Sequence, residues 1–344
     1  MRPLRVLVTA AGAPGTAALL RALRENGERD VTLAGCDMSE RAIGRLLCDS
    51  FRLVPPGSSP LFPEAIARLC REERIDAVLP QSSHDLSGLA SVKSELAADG
   101  VTVLVASQEA IRLSNDKAAC YALLDEIGVR TPEWRRVRGG RELARAAAEL
   151  GYPSRPVCFK PVTSSGSRGF RVLDPTVDRA RELLEERPGT LTMRLEEAVE
   201  LLPEVGGAEL LVMELMEGRE RTVDGIAAGG RLVLGHGKTR ESVRAGLAMF
   251  FQTLVDESLV EVARRIVGAL RLDHFFNVQL VGDAVIEVNP RISTVVYQED
   301  VNLPYLGLKR ALGEIDDAEL ASYAKRIRPT RRALRFFDQV EWDV

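Results

Sequence analysis

The chain has 344 residues, of which 45% are hydrophobic and 28% charged, so it is long enough for two or three domains of ordinary globular composition. Its formal net charge of −4 and isoelectric point near 5.7 exclude binding to nucleic acid or to an anionic membrane through bulk positive charge. We therefore expect neither a nucleic-acid partner nor a membrane partner.

Three sequence features indicate a cytoplasmic protein. No uninterrupted apolar run approaches the about 18 residues that a transmembrane helix needs. Arg5 interrupts the first apolar run, which is typical of a first strand and not of a signal peptide. The five cysteines are odd in number and form no CxxC pair, and the three histidines are far apart, so we expect neither disulfides nor a zinc site.

Strands and helices alternate over residues 1 to about 110. Apolar strands are predicted at Leu4–Thr9, Val31–Cys36, Phe51–Val54, Asp76–Leu79 and Val101–Val105. Helices are predicted between them, at Gly15–Glu25, Arg41–Cys48, Leu61–Glu73 and Asp85–Ala98. This βα alternation predicts a doubly wound parallel sheet, whose ligands bind outside the carboxyl ends of the strands. Those ends are residues 10–15, Asp37 and residues 80–85.

The turn after the first strand leaves two interpretations open. Gly12-Ala13-Pro14-Gly15, followed by Asp37, resembles part of a dinucleotide-binding fingerprint but lacks its third glycine. The alternative is a tight strand-to-helix turn that borders a substrate pocket. Because the fingerprint is incomplete, a Rossmann oxidoreductase ranks last among the functions we consider.

A lysine-bearing strand and a small-residue loop follow. Asn115 is predicted to cap a helix that begins at Asn115-Asp116-Lys117. Residues 156–173 predict a strand, a loop rich in glycine and serine, and a second strand; such a loop can bring backbone N–H groups to phosphate oxygens. Lys160 lies within the otherwise apolar first strand, and a buried amine needs a partner. The alternative interpretation is a mobile surface hairpin.

The middle of the chain predicts a nucleobase slot. The apolar strand Glu209–Met213 leads into an acidic linker that ends at Asp224. Apolar walls, backbone groups for a base edge and a carboxylate for ribose hydroxyls suit such a slot. Beyond it, His236-Gly237-Lys238-Thr239-Arg240 and Arg244 bring three cations near one another, or else form a solvated basic strand end.

The segment Phe275–Arg291 predicts a β-hairpin. Phe275 to Val281 and Ala284 to Val288 are the two strands, and Gly282-Asp283 is the tight turn. Side chains on a strand alternate between faces, so neighbouring strands can present polar groups together, namely Gln279, Glu287 and Asn289, with Arg291 just beyond. One carboxylate, two amides and a guanidinium are typical of a site for Mg²⁺ and nucleotide phosphates. The alternative is an edge hairpin whose polar residues face water.

The C-terminal part predicts helices at Pro304–Leu312 and Asp317–Ile327 and a last strand at Arg332–Val340. Six basic residues lie between Lys325 and Arg335. We interpret them mainly as a solvated linker, while a role in holding an anionic substrate stays open.

Taken together, these motifs resemble the ATP-grasp enzymes, and among them the carboxylate–amine ligases similar to carbamoyl-phosphate synthetase. The resemblance covers residues 1 to about 312 and rests on motifs in the family's order, namely Asn115-Asp116-Lys117, Phe159-Lys160-Pro161 with the Ser164–Gly169 loop, Met213-Glu214 with Gly218-Arg219-Glu220, Asn277-Val278-Gln279, and Glu287-Val288-Asn289-Pro290-Arg291. Each motif alone is weak, and the ordered set is specific.

The resemblance implies an α/β protein, α+β overall, with an ATP-grasp fold behind an N-terminal doubly wound parallel-sheet domain. The implied boundaries are 1–112 for the N-terminal (pre-ATP-grasp) domain, 113–312 for the ATP-grasp domain and 313–344 for a C-terminal extension. Within the ATP-grasp domain, a small lid subdomain covers about 130–212 and a metal-binding subdomain about 213–312.

The resemblance also implies roles for particular residues. Those expected to bind ATP are Lys117 and Lys160 at the phosphates, Ser164, Ser165, Gly166, Ser167 and Gly169 in the covering loop, Glu214, Leu215 and Met216 at the adenine, and Glu220 at the ribose. Those expected to bind one or two Mg²⁺ ions, for which Mn²⁺ could substitute, are Gln279, Glu287 and Asn289. Those expected to stabilise the transferring phosphoryl group are Arg291 and, with weaker support, Lys238 and Arg240.

Two departures from the family limit what the resemblance implies. Many members carry glutamate where this chain has Gln279, and a neutral ligand weakens the hold on a first metal ion. After Arg291 the chain continues with Ile292-Ser293-Thr294-Val295-Val296-Tyr297, where relatives often have small residues. That region faces the acceptor, so the resemblance leaves the substrate undefined.

The expected function is ATP- and Mg²⁺-dependent joining of a small carboxylate to an amine, such as an amino acid. Phosphorylation by ATP would convert the carboxylate into an acyl phosphate that the amine attacks, with release of ADP and phosphate. Two alternatives stay open: an enzyme of the same fold that releases a carbamoyl or acyl phosphate, and a nucleotide-binding regulatory protein without ligase activity. The partners would be small molecules, and a homodimer is compatible with the resemblance.

Overall fold

A computed structural model describes residues 1–164, 166–185, 191–204, 207–244, 247–293, 301–336 and 338–342 of the chain. The chain forms two compact units. The first unit contains Met1–Ser114, Glu220–Gln279 and Val288–Val344. The second contains Asn115–Arg219 and Leu280–Glu287, so the backbone passes between the units four times. The domain boundaries expected from the resemblance stay a prediction.

The first unit begins with alternating strands and helices. In chain order they are β1 (Leu4–Thr9), α1 (Thr16–Arg24), β2 (Val31–Asp37), α2 (Gly44–Leu47), β3 (Ser50–Leu53), α3 (Phe62–Glu72), β4 (Ala77–Pro80), α4 (Leu86–Ala98), β5 (Thr102–Val103) and α5 (Gln108–Asn115). The five strands pair in parallel in the order β3-β2-β1-β4-β5, which confirms the predicted doubly wound sheet. Helix α2 is shorter than predicted.

Side chains tie the strand ends of this sheet together. The backbone N–H of Gly12 donates to Asp37 Oδ2 at 2.8 Å, and Thr9 Oγ1 donates to Asp85 Oδ2 at 2.6 Å. Burial raises the pKa of the Asp85 carboxyl to about 6. The other oxygen of Asp37 accepts from the N–H of Ser39 at 2.9 Å. Both oxygens of Asp37 are therefore engaged by the backbone, which favours the tight-turn interpretation of the Gly12–Gly15 segment over a ribose-binding acid.

The second unit is built around its own sheet. Its elements are α6 (Lys117–Glu126), β6 (Trp134–Arg138), α7 (Gly140–Glu149), β7 (Val157–Pro161), β8 (Arg171–Leu173), α8 (Arg179–Glu185), β9 (Thr192–Met193), α9 (Leu195–Leu201) and β10 (Glu209–Glu214). The strand order is β6-β10-β7-β8-β9. The core below it includes Leu143, Phe159 and Val212, all buried. Strand β7 is buried on both faces except at its last residue, which places Lys160 in an apolar setting.

The rest of the chain supplies a third sheet, of six strands. Its elements are β11 (Glu220–Ala228), β12 (Arg231–Thr239), β13 (Val243–Arg244), β14 (Leu247–Ala248), β15 (Phe250–Leu254), α10 (Glu257–Ala269), β16 (His274–Val281), β17 (Ala284–Asn289), α11 (Leu303–Ala311), α12 (Asp317–Ser322), a 3₁₀ helix (Tyr323–Arg326) and β18 (Arg332–Leu334). Six strands pair in the order β17-β16-β11-β12-β15-β18. The predicted hairpin is confirmed as β16 and β17, and Gly282 in its turn has a φ of +58°.

The C-terminal segment differs from its prediction. Strand β18 ends at Leu334, well before the predicted end at Val340. It pairs antiparallel with β15, a strand that the sequence pattern did not reveal. The predicted helix Asp317–Ile327 is an α-helix only to Ser322 and continues as a 3₁₀ helix.

One apolar core joins the parallel sheet of the first unit to the later elements of the same unit. It contains Leu20 and Leu33 from the parallel sheet layer, Ile226 from β11 and Leu306 from α11, all at most 3% exposed. These parts therefore share one buried core despite their separation along the chain. Throughout the described ranges, no helix is long and apolar enough to cross a membrane.

A buried histidine lies inside the first unit, at the start of β16. His274 Nε2 is 3.5 Å from Lys93 Nζ on α4 and 3.7 Å from Asp273 Oδ2. Lys93 Nζ also donates to the carbonyl of Val105 at 2.6 Å. Burial lowers the pKa of His274 to about 4, with Lys93 and Arg310 adding to the shift and Asp273 opposing it.

We expect acid to weaken this unit through His274. Its folded pKa lies below its ordinary value near 6.5, so the unfolded chain takes up the proton first as the pH falls. Stability from this group is complete above pH 6.5 and is lost between about pH 6.5 and pH 4, by about 3 kcal/mol in total. The free energy of unfolding, measured with urea across this pH range, should depend less on pH in His274→Gln than in the wild type. An equal change in the exposed His84→Gln control would contradict the assignment.

Candidate active site

In the second unit, helix α6 brings Lys117 to the end of the lysine-bearing strand. The side chain of Asp116 accepts from the N–H of Ala119 at 2.8 Å and caps the helix, so the prediction of Asn115 as the cap is wrong by one residue. The N–H of Lys117 donates to the carbonyl of Val162 at 3.1 Å, just past β7. The Lys117 amine donates to the carbonyl of Ser164 at 2.5 Å. The helix start and the small-residue loop are therefore connected directly.

Lys160 and Lys117 are both buried amines of this unit. Lys117 is 6% exposed and Lys160 is 9% exposed. Burial lowers the pKa of Lys117, and burial together with the charge of Lys117 lowers the pKa of Lys160 to about 8. Glu287 ends the part of the hairpin that belongs to this unit, Leu280–Glu287, which we call the hairpin tip, and it opposes both shifts. Two buried amines share one nearby carboxylate, so the negative charge near them is insufficient to balance two ammonium groups. The site therefore favours a polyanion, whose negative charge would stabilise both.

The orientation of Lys160 is set by the hairpin tip and an aromatic ring. Lys160 Nζ donates to the carbonyl of Ile286 at 3.0 Å and lies 5.7 Å from the centre of the Tyr121 ring. The Tyr121 hydroxyl donates to the same Ile286 carbonyl at 2.8 Å. One backbone oxygen therefore holds both side chains, and Tyr121 is held in turn by an edge-on contact with Trp134.

The loop between β7 and β8 turns back sharply on the strand. Gly166, Ser167 and Gly169 have φ values of +64°, +59° and +73°. A Cβ atom at Gly169 would lie 2.7 Å from the Pro161 ring, so that position requires glycine. Left-handed residues in a loop can turn successive backbone N–H groups toward one point, as in anion-binding loops. Ser165, also expected in this loop, lies outside the described residues.

The predicted adenine edge follows β10. Glu214 Oε2 accepts from Arg155 at 2.6 Å, and the N–H of Leu215 donates to the carbonyl of Pro156 at 2.9 Å. Leu215 and Met216 are half-buried. The carboxylate of Glu214 is thus paired with Arg155, a residue that sequence reasoning missed. The segment presents half-buried apolar side chains next to backbone groups, which is compatible with a base slot.

In the first unit, the expected ribose-binding acid is paired with a cation. Glu220 Oε1 accepts from Arg240 Nε at 2.5 Å, and the N–H of Arg240 donates to the carbonyl of Glu220 at 2.8 Å. The two residues lie near the ends of paired strands β11 and β12. Arg240 is therefore placed to hold Glu220 in position.

Lys238 is also paired, and more deeply buried. Its Nζ lies 2.7 Å from Asp224 Oδ2, and the two side chains are 1% and 2% exposed. The Nζ is also 5.7 Å from the centre of the Phe251 ring. Next to the pair, His236 is fully buried, and burial together with the charge of Lys238 lowers its pKa to about 3. Lys238 and Arg240 are thus each paired with a carboxylate, so these two cations do not form a solvated strand end.

Asn277 connects the expected metal ligands of this unit. Its Oδ1 accepts from Gln279 Nε2 at 3.0 Å and from Asn289 Nδ2 at 3.3 Å. Its Nδ2 donates to Asp224 Oδ1 at 2.8 Å and to Thr222 Oγ1. Asn277 was part of a recognised motif, but its function as a connector was not anticipated. Polar residues two apart on neighbouring apolar strands were the available signal.

Arg291 reaches the parallel sheet of the first unit. Its Nε donates to Ser83 Oγ at 3.0 Å, and Nη1 donates to the carbonyl of Ile292 at 2.9 Å. Ser83 lies in the loop after β4, one of the strand ends expected to face substrate. Arg335, from the basic C-terminal segment, donates to the carbonyl of Pro14 in the loop after β1 at 3.0 Å. Residues 294–297, expected to face the acceptor, lie outside the described residues.

Carboxylates and histidines do not cluster as a zinc or multi-acid metal centre would require. In the described part of the chain, no group of three or more His, Cys, Asp or Glu residues could hold a metal ion. Any divalent cation would depend on amide oxygens as well as carboxylates, as Mg²⁺ sites can.

Comparison with known families gives two matches. Residues 207–332 match the family model described as ATP-grasp in the biosynthetic pathway with Ter operon. Residues 6–104 match the model described as PylC-like, N-terminal domain. Residues 207–332 run from β10 to the start of β18 and include most of the six-stranded sheet with its helices. Residues 6–104 fall on the parallel sheet of the first unit.

Curated relatives include carbamoyl-phosphate synthases. The chain is 30% identical over 246 residues to the carbamoyl phosphate synthase large chain of Methanothermobacter thermautotrophicus, covering 68% of this chain and 22% of that protein. It is 28% identical to the carbamoyl-phosphate synthase of Methanobrevibacter smithii, covering 78% of this chain and 69% of that protein. The chain therefore spans about a fifth of the first relative.

Solved structures share the fold. A biotin carboxylase from Campylobacter jejuni, in a β,γ-ATP complex, has a TM-score of 0.64 at 18% identity. The match covers 95% of this chain and 74% of the biotin carboxylase chain. An L-amino acid ligase from Bacillus licheniformis has a TM-score of 0.62 at 16% identity, and the match covers 96% of this chain and 78% of the ligase chain. The matched family models, the sequence relatives and the shared fold show that the chain has an ATP-grasp fold and is similar to ATP-grasp enzymes.

Proposed function

We propose that this protein is an ATP- and Mg²⁺-dependent ligase that activates a small carboxylate as an acyl phosphate and transfers the acyl group to an amine. The observation that carries the proposal is the arrangement of Lys117 and Lys160, two buried amines held by the small-residue loop and the hairpin tip beside Glu287. Buried amines need a compensating anion, and ATP phosphates would supply it.

The proposed chemistry uses charge and position. A carboxylate is a poor electrophile because its leaving group would be oxide. Attack of a carboxylate oxygen on the γ-phosphorus of ATP forms an acyl phosphate and releases ADP; attack of an amine on the acyl carbon then releases phosphate and gives an amide. Phosphoryl transfer depends on in-line positioning and charge neutralisation, so the lysines and Arg291 would suffice without a nucleophilic side chain.

We propose the residue roles that the resemblance implies, except for Lys238 and Arg240, whose contacts with carboxylates indicate a different role. Lys117 and Lys160 would bind the phosphates, the Ser164–Gly169 loop would cover them, and Arg291 would stabilise the transferring group. Glu214, Leu215 and Met216 would edge the adenine and Glu220 the ribose. We assign Lys238 and Arg240 a positioning role, because each is paired with a carboxylate of a neighbouring strand.

The residues proposed for Mg²⁺ fit a hard cation. Gln279 and Asn289 both donate through their amide nitrogens to Asn277, which leaves the oxygen of each amide for a ligand. We propose these two oxygens and the carboxylate of Glu287 as ligands for one or two Mg²⁺ ions, with Mn²⁺ as a substitute. Bound Mg²⁺ would neutralise phosphate charge.

Hydroxylamine trapping tests the ligase proposal. A panel of small carboxylates, including amino acids, is incubated with ATP, Mg²⁺ and hydroxylamine, and ADP and hydroxamate are measured together. We expect one carboxylate to give both products in equal amounts, because hydroxylamine intercepts the acyl phosphate. ATP binding without ADP or hydroxamate from a broad panel would instead indicate a nucleotide-binding regulatory protein.

A second candidate is an enzyme that releases the acyl phosphate or carbamoyl phosphate itself. The similarity to carbamoyl-phosphate synthases favours it. The two candidates differ in the need for an acceptor. Release of a phosphorylated product in the absence of any amine would favour the second, whereas ADP formation that requires the amine would favour the ligase. Crossing acids with amines and reading product masses identifies the substrates.

A further inference from the structure

Polar side chains form a continuous line across four neighbouring strands of the first unit. The strands lie in the order β17-β16-β11-β12. The residues in the line are Asn289 on β17, Asn277 and Gln279 on β16, Thr222 and Asp224 on β11, and Lys238 on β12. All except Gln279 are at most 7% exposed, so their hydrogen bonds form with little competition from water.

Asn277 determines which way the neighbouring amides point. Its oxygen accepts from the nitrogens of both Gln279 and Asn289, at 3.0 and 3.3 Å. In a side-chain amide the NH₂ nitrogen donates and the carbonyl oxygen, on the other side of the group, accepts. Both amide oxygens are therefore directed away from Asn277. Hard cations bind amide oxygens and not amide nitrogens, so this orientation is the one that can bind a cation.

Asp224 fixes the orientation of Asn277 in turn. An ionised carboxylate only accepts hydrogen bonds, so Asn277 must turn its nitrogen toward Asp224 Oδ1, at 2.8 Å, and its oxygen the other way. Lys238, 2.7 Å from the second carboxylate oxygen, compensates the buried charge. The charge of Asp224 on β11 thereby sets the orientation of the Gln279 amide on the neighbouring strand β16 and of the Asn289 amide on β17, the strand beyond.

We propose that Lys238, Asp224 and Asn277 form a positioning relay that holds the amide oxygens of Gln279 and Asn289 toward the divalent cation. This inference rests on the proposed function, because it gives the relay a cation to serve. None of the three relay residues needs to touch the metal ion. Outer contacts of this kind typically change metal affinity by about 10- to 100-fold.

The relay makes a prediction that a merely structural network does not. In Asp224→Asn, the amide introduced at position 224 keeps its oxygen toward Lys238 and turns its nitrogen toward Asn277. Asn277 must then rotate its own amide, so that its oxygen accepts from that nitrogen. Gln279 and Asn289 would be left facing an amide nitrogen and would turn their own oxygens inward. In Asn277→Asp, two carboxylates face each other across a hydrogen-bond distance and repel.

Exchanging the two residues should restore the relay. In Asp224→Asn/Asn277→Asp, the asparagine at 224 accepts from Lys238 and donates to the aspartate at 277. That aspartate accepts from Gln279 and Asn289 as before, and the Thr222 hydroxyl can donate in place of accepting. The exchange keeps the total charge of the buried group, so the orientation of both ligand amides is preserved.

The experiment measures Mn²⁺ affinity in the presence of ADP, from the electron paramagnetic resonance signal of unbound Mn²⁺. Folded Asp224→Asn should bind about 10- to 100-fold more weakly than the wild type, because only this single change turns the ligand amides, and the double variant should recover to within about threefold. Asp30→Asn, at an exposed position of the same unit, is the matched control and should be unchanged. Thermal unfolding of every variant is recorded alongside.

Each outcome separates the relay from the proposed function. Recovery in the double variant supports the relay. A folded Asp224→Asn protein that binds Mn²⁺ as the wild type does, or a folded double variant that stays more than threefold weaker, would overturn the relay while leaving the proposed function intact. If a single variant does not fold, the double variant alone decides by the same limits. A wild-type protein that binds no Mn²⁺ with ADP would overturn the proposed function and the relay with it.

Discussion

Replacing Lys160 with methionine is expected to lower the turnover of ATP by about 10²- to 10³-fold, the usual cost of removing one preorganised charge or donor from a reacting centre. The side chain is 9% exposed, and its amine is fixed by the Ile286 carbonyl and the Tyr121 ring. Methionine has a similar length and no charge, so shape is largely kept while the interaction with phosphate is removed.

The measurement is ADP release at saturating ATP with the carboxylate found by hydroxamate trapping. Lys325→Met, at an exposed position, is the matched control and should keep wild-type turnover. Equilibrium binding of ATP to the Lys160 variant separates weaker binding from slower transfer. Wild-type turnover in a folded Lys160→Met protein would contradict the assignment of this lysine to the phosphates and revive the regulatory alternative.

Replacing Lys238 with methionine is expected to lower the free energy of unfolding by about 3–5 kcal/mol, because it leaves the charge of Asp224 buried without compensation. The pair is 1% and 2% exposed, with 2.7 Å between Nζ and Oδ2. Removing both charges in Lys238→Met/Asp224→Asn should recover part of the loss, since the uncompensated charge is then absent.

Chemical denaturation gives the measurement, and Lys309→Met is the control. Lys309 makes a similar contact with Glu28, at 2.8 Å, but Glu28 is 37% exposed and can be hydrated when its partner is removed. We expect about 1 kcal/mol for that change. A loss below 1 kcal/mol in Lys238→Met, or an equal loss in both variants, would show that burial of the Asp224 charge is not the dominant effect.

The sequence pattern was sufficient for local features of the fold. Alternating apolar runs gave the parallel sheet, and the hairpin at 275–289 followed from its glycine turn and strand periodicity. Lys160 stood out because an amine in an apolar strand requires a partner. The helix cap was misplaced by one residue, since Asn115 and Asp116 are both good capping residues and only the backbone decides between them.

Pairings between distant residues could not be predicted in this way. Arg291 donates to Ser83, 208 positions away, and Glu220 and Arg240 meet because β11 and β12 are neighbours. Periodicity tells which face of a strand a side chain occupies but not which strand lies beside it. The resemblance implied, with weaker support, that Lys238 and Arg240 lie at the transferring phosphoryl group, and their carboxylate partners became visible only with the strand order.

The hairpin tip has a consequence for dissecting this protein into fragments. Leu280–Glu287 belongs to the second unit, although sixty residues, Glu220–Gln279, separate it from the end of that unit's main segment at Arg219. A fragment of residues 115–219 would lack the Ile286 carbonyl that holds Lys160 and Tyr121, and also Glu287. Lys117 and Lys160, which we propose to bind the ATP phosphates, therefore gain all of these neighbours only when a later part of the chain has been synthesised. During synthesis on the ribosome, nucleotide could bind this unit only after the hairpin has emerged.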